Sequence, residues 1–195
     1  MNRDFSFLKY QGCGNDFILK DELGGETTPD AQRSQLAKKL WDRHFGIGAD
    51  GILFVESAPG VDGSMRLFEP AGNEADMCGN GLRCVAAYLM KRLGKDEVDV
   101  LTRDGVKNVV RRDDEFTVDM GPVRTKRKDL AKYVTDDGSP EDSMLNFTVD
   151  LGGALTKASI LNTGEPHIVV MTDDLDAADM EAIGRQVNSD RKRFP

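Results

Sequence analysis

Apolar residues recur along this chain in two rhythms. Short runs rich in β-branched and aromatic residues predict strands at Phe5 to Tyr10, Asp16 to Leu19, Ile52 to Val55, Met65 to Phe68, Val98 to Leu101, Val106 to Val110 and Phe116 to Met120. Further runs follow at Phe147 to Leu151, Leu155 to Leu161 and His167 to Met171. The helical rhythm is clearest where Leu82, Val85, Ala86, Leu89 and Leu93 fall at i, i+3, i+4, i+7 and i+11, with Gly94 placed to stop the helix. This predicts a helix from Gly79 with one apolar stripe, packed against or inside a curved sheet.

Two other helices are marked by their ends. Thr28 is placed to cap the first, with Pro29 at its first position, Asp30 in its first turn, Leu36 and Leu40 on one face, and an end near Arg43. The last spans Ala177 to Val187, with Asp176 as cap and Met180, Ile183 and Val187 inward. Many strands against few helices predict an α+β protein with largely antiparallel sheets. A fresh set of strands after Gly121-Pro122 puts a boundary there, dividing the chain into residues 1–121 and 122–195. Gly24 to Pro29 and Thr135 to Ser143 are composed as surface loops.

Composition narrows the function classes. The 195 residues, 39% apolar and 31% charged, suffice for one fairly large core or two small ones. Asp and Glu outnumber Lys and Arg by 34 to 26, a net charge of −8 that repels phosphate backbones and anionic lipids. Neither nucleic acid nor a membrane is the expected partner. Apolar runs stay far below the roughly 20 residues of a spanning helix, and Met1 to Ser6 carries no signal-peptide character, so the expected location is the cytoplasm. Three cysteines in a reducing compartment are expected as free thiols.

The chemistry concentrates in Glu69 to Cys84, where a strand end and a tight turn lead into the helix at Gly79. Cys78 stands directly before that helix, where free N–H groups and the helix dipole favour a thiolate. The amides of Gly79 and Asn80 are placed to hold a carboxylate. Two readings of Cys78 stand side by side: a small buried hydrophobe, or an activated thiol beside an anion cradle. Cys84 lies about 240° further round the helix and is expected to pack. Cys13, in a turn, has nothing local that activates it. With no Cys-x-x-Cys or His-x-x-x-His pair, a metal site is not expected. The Gly46-x-Gly48-x-x-Gly51 pattern has a helix before it and a strand after it, the reverse of a dinucleotide fingerprint, so NAD is excluded. Asn15-Asp16 is expected as an Asx turn, and His167 as a structural residue.

Five segments in order, Gly12 to Phe17, Asp42 to Gly51, Met65 to Phe68, Gly72 to Ala86 and Gly164 to His167, resemble the diaminopimelate epimerase family over essentially the whole chain. The resemblance implies two pseudo-symmetric β-barrel-like halves, each around a central helix, with substrate between them. It implies cofactor-free inversion at one α-carbon, taking LL-2,6-diaminoheptanedioate to the meso form for lysine synthesis, without PLP, metal or nicotinamide. Without a cofactor as electron sink, the carbanion must be stabilised by fixed N–H dipoles. The family's residues carry over as Asn15 for substrate binding, Cys78 for catalysis, and Gly79 and Asn80 for the carboxylate.

Inversion needs a second group on the opposite face, and the family uses a second cysteine in a Cys-Gly-Ser/Thr-Gly motif. This chain stops at Phe194-Pro195 before any such motif, so it is expected to be a partial epimerase with its second half incomplete, inactive alone and prone to aggregate or dimerise. Homodimers are also frequent in the family. Glu69 and Glu165 stand where many members have asparagine, which favours an ammonium and disfavours a carboxylate at those points. The alternatives are a racemase or epimerase for another amino acid, or a non-catalytic amino-acid-binding fragment.

Overall fold

The structure is a computed structural model, describing residues 5–25, 28–135, 138–150, 155–176 and 178–190. The chain divides into two compact units, Met1–Gly121 and Pro122–Pro195, in an α+β fold.

In the first unit β1 (Leu8–Gly12), β2 (Asn15–Glu22), α1 (Asp30–Leu40), β3 (Gly51–Glu56), β4 (Gly63–Phe68) and β5 (Glu74–Ala75) precede α2 (Gly79–Leu93). After it come β6 (Glu97–Thr102), β7 (Gly105–Arg112) and β8 (Glu115–Val118). The eight-stranded sheet runs β1-β2-β3-β4-β6-β7-β8, with β5 on β4. Pairing is antiparallel except for β2 with β3 and β4 with β6. Helix α2 touches β1, β2, β3, β4, β6 and β8. Seven strands laid flat at ~4.8 Å would span about 29 Å, near three helix diameters. Contact with both edge strands therefore requires the sheet to curl round α2, the central helix that its apolar stripe predicts.

Strand alternation divides the core in two. Phe17, Leu19, Leu53, Val55, Met65 and Leu67 face α2 and meet Leu82, Val85, Ala86 and Leu89. Ile18, Ile52, Phe54 and Phe68 point the other way, where Ala37 of α1 joins them. These strands are buried on both faces, which is why Ile52 to Val55 is apolar without a break.

The first helix differs from expectation at both ends. Pro29 occupies the cap position, while the Thr28 hydroxyl donates to Glu22 at 2.5 Å. The helix stops at Leu40 because the following loop folds back over it: the amides of Ile47 and Gly48 both donate to the Leu40 carbonyl at 2.9 Å. β1 likewise begins at Leu8, not Phe5.

The second unit holds a three-stranded antiparallel sheet, β11 (Pro166–Val170), β10 (Leu155–Asn162) and β9 (Phe147–Asp150), with α3 (Arg127–Leu130) and α4 (Met180–Ser189). Leu130, Val134, Met144 and Ile160 form one cluster, and Val149 and Ala158 pack with Ile183 and Val187. Two expectations are corrected. The cap of α4 is Asp179, whose Oδ1 accepts from the Ala182 amide at 2.8 Å, not Asp176. Met180, in the first turn, points outward and is 55% exposed. Leu151 and Ala177, included in the predicted strand and helix, lie outside the described residues.

Candidate functional site

The first unit builds its candidate site at the N-terminus of α2. Buried Met77 anchors the approach, and Cys78 takes an extended conformation (φ −149°, ψ 113°) as the helix cap. Its sulfur accepts from the Gly81 amide at 3.4 Å, which leaves Sγ over the first turn. The thiol donates to Asn15 Oδ1 at 3.8 Å. The amides of Gly79 and Asn80 belong to the first turn and have no acceptor within the helix. Sequence placed Cys78, Gly79 and Asn80 together by adjacency; the fold adds Asn15 across 63 positions.

Asn15 arrives through the β1–β2 hairpin, where it pairs with Gly12 across Cys13-Gly14. Both turn residues have positive φ, 55° and 81°, the geometry of a tight hairpin whose twist matches its strands. Gly12 makes a close approach, since a Cβ there would lie 3.2 Å from the Asn80 carbonyl oxygen, tighter than ordinary contact. The hairpin thus rests on the first turn of α2. The Asn80 side chain is occupied by Arg83, whose Nη1 donates to Oδ1 at 2.9 Å.

Asn15 and Asp16 do not form the expected local turn; both reach to the loop after α1. Asn15 Nδ2 donates to Asp50 Oδ2 at 2.9 Å, and the Asp16 amide donates to the same oxygen at 3.0 Å. Arg43 Nη2 bridges Asp16 Oδ1 at 2.7 Å and Asp50 Oδ1 at 2.9 Å. Lys9 completes the cluster at 2.8 Å from Asp16. The Arg43 guanidinium, and then the Lys9 ammonium, hold the Asp16 carboxyl far below the usual carboxylate range. Sequence reasoning missed Arg43 and Asp50 as site residues, although both lie in the Asp42 to Gly51 segment. The signal there was two charged residues framing a glycine turn.

Cys84 is buried, as expected of a packing residue, and burial pushes its thiol up to about 11, with the Cys78 sulfur adding to the effect. Cys13 is exposed. Tyr10, Cys13, Arg83, Cys84 and Phe116 line a groove of about 410 Å³ between the two edge strands. Glu69 is engaged locally: its carboxylate accepts from Asn73 Nδ2, and its carbonyl accepts from the Gly72 amide at 2.8 Å. In the second unit Asn162 is buried, with Oδ1 accepting from Arg124 Nη1 and the Gly164 amide, both at 2.8 Å, which shapes the turn before Glu165 and His167. Among the described residues no three His, Cys, Asp or Glu side chains converge on a metal-sized site, and no helix is long and apolar enough to cross a membrane.

Residues 7–126 match the family described as diaminopimelate epimerase. The curated diaminopimelate epimerase of Pelotomaculum thermopropionicum is 38% identical over 185 residues, covering 91% of this chain and 64% of that protein. That of Methanothrix thermoacetophila is 41% identical over 177 residues, covering 87% and 59%. The chain thus spans about three-fifths of the length of these relatives. Among solved structures, a probable proline racemase from Agrobacterium radiobacter superposes with a TM-score of 0.57 at 14% identity, over 91% of this chain and 52% of that one. A PhzF-family phenazine biosynthesis protein from Bacillus anthracis gives 0.53 at 20%, over 87% and 56%. These two show the fold alone.

Proposed function

This chain belongs to the diaminopimelate epimerase family, and from that premise we propose that Cys78 transfers the α-proton in cofactor-independent epimerisation of LL-2,6-diaminoheptanedioate to the meso form. The observation that carries this reading is the sulfur's pair of partners. The Gly81 amide donates to it and Asn15 Oδ1 accepts from it. A donor supports the thiolate and an acceptor supports the thiol. A group that removes a proton in one direction and delivers it in the other needs both forms within reach.

The substrate's α-carboxylate lies against the amides of Gly79 and Asn80, where the helix dipole and the N–H groups stabilise charge that develops on it as the α-proton leaves. Asn15 binds substrate from the hairpin side. The opposite face is served by a second cysteine of the complete enzyme, so that the two sulfurs act as a thiolate and thiol pair. The ligand is a free amino acid in the cytoplasm, at the lysine-synthesis step the relatives' name denotes, in a homodimer that binds neither nucleic acid nor membrane.

In deuterated water, the complete gene product incubated with the LL isomer should incorporate deuterium at one α-carbon and yield the meso isomer. Cys78→Ala should abolish conversion to the meso isomer. Conversion that survives in Cys78→Ala would refute the assignment. A second reading rests on the carboxylates of Glu69 and Glu165 at positions where many members have asparagine: a related racemase for another amino acid. It predicts Cys78-dependent exchange with that amino acid and none with diaminoheptanedioate.

A further inference from the structure

Asp50 offers a carboxylate to the site without touching Cys78, and its role follows from what a carboxylate can do. An ionised carboxylate only accepts hydrogen bonds. The end of the Asn15 amide that lies 2.9 Å from Asp50 Oδ2 is therefore the NH2 end, and the carbonyl end is the one left to face Cys78. We infer that Asp50 is a positioning residue, which locks the Asn15 amide with its oxygen toward the Cys78 thiol.

The carboxylate is itself well held. Oδ2 also accepts from the Asp16 amide at 3.0 Å, and Oδ1 accepts from Arg43. The Asp50 amide donates to the Asp16 carbonyl at 2.8 Å, immediately before the parallel ladder in which Gly51 pairs with Phe17. Asp50 and the Asn15-Asp16 strand start are thus tied by backbone and side chain together. Without Asp50 the amide is free to turn, so the sulfur loses an acceptor that favours the thiol, or gains an NH2 that favours the thiolate. Either change makes Cys78 the better nucleophile.

This inference rests on the placement of Asn15 and Cys78 in the proposed site, but its test does not require turnover. Iodoacetamide is added to the full chain at fixed neutral pH, and Cys78 modification is followed by peptide mass spectrometry. Asp50→Ala should alkylate about fivefold faster at Cys78, the equivalent of about one hydrogen bond. Asp50→Asn retains a carbonyl oxygen, which the fixed Asp16 amide draws to the Oδ2 position, so it should restore the wild-type rate. In an Asn15→Ala background, Asp50→Ala should change nothing. An unchanged or slower rate in Asp50→Ala, equal acceleration in Asp50→Asn, or an effect that persists without Asn15 would each overturn the inference; equal acceleration would point to charge alone.

Nuclear magnetic resonance of the unmutated protein keeps the inference testable if Asp50→Ala does not fold, because the Asn15 NH2 protons must then exchange more slowly than a free amide. Exchange at the free rate overturns it. Failure of the epimerase reading shows separately, as absent α-proton exchange with this alkylation pattern intact.

Discussion

Replacing Arg33 by Met should cost the first unit about 3 kcal/mol, and the structure shows where that figure comes from. Arg33 is 1% exposed on α1 and bridges Glu22 at 2.8 Å and Glu56 at 2.5 Å, two carboxylates that face each other in register across the β2–β3 ladder. Its Nε donates to the Thr28 carbonyl at 2.8 Å, and its guanidinium lies 4.6 Å from the Phe54 ring centre. Removing one partner from a buried ion pair costs about 3–5 kcal/mol, and the ring contact adds about 0.5–2. Against this, Nη1 is buried without a hydrogen-bond partner among the described residues, and its removal returns about 1–3 kcal/mol.

The loss is expected to arise mainly from the buried Glu22 carboxylate, left with Thr28 and with Lys20 at 3.6 Å, rather than from the missing contact. Arg33→Met combined with Glu22→Gln should therefore recover to within about 1 kcal/mol of the parent, Glu56 being partly solvated. Urea unfolding followed by the fluorescence of Trp41, the sole tryptophan and the residue that ends α1, reports on this unit. A single-variant loss below about 1 kcal/mol, or a double variant no better than the single, would refute the reasoning.

Two further outcomes follow from the packing around the site. Gly46→Ala would bring a Cβ within 2.7–2.8 Å of the Leu40, Asp42 and Lys39 carbonyl oxygens, so urea unfolding should show a loss of at least about 2 kcal/mol; a neutral substitution would mean the loop relaxes freely. Cys84, pushed from 9.0 up to about 11 by burial, holds its proton more tightly folded than unfolded. The resulting stability is complete below pH 9 and is lost as pH rises toward 11, by roughly 2–3 kcal/mol. Cys84→Ala should lack that part of the alkaline slope, and identical slopes would contradict it.

The start of α2 was legible because its cause is local. An apolar stripe at helical spacing defines α2, Gly94 ends it in the left-handed conformation with φ 68°, and Cys78 is the cap by adjacency alone. Local patterning was less sufficient where neighbours compete for the same group: Thr28 has the composition of a cap, yet its hydroxyl goes to Glu22. The α4 cap moved from Asp176 to Asp179 because several aspartates in that stretch carry the same signal.

What the sequence by itself determined is therefore the central helix, the thiol at its start, the short apolar runs that form strands around it, and the family. The resemblance had already named Asn15, but only the tertiary structure brings it to Cys78 and sets Asp50 beside it. Asn15 meets Cys78 across 63 positions and Asp50 across 35. The parallel β2–β3 pairing that brings Asp50 there has no tight-turn signature. Periodicity and capping report each residue's relation to its own turn or strand. A hydrogen bond between distant segments depends on how those segments pair, and that is settled by the packing of the whole unit.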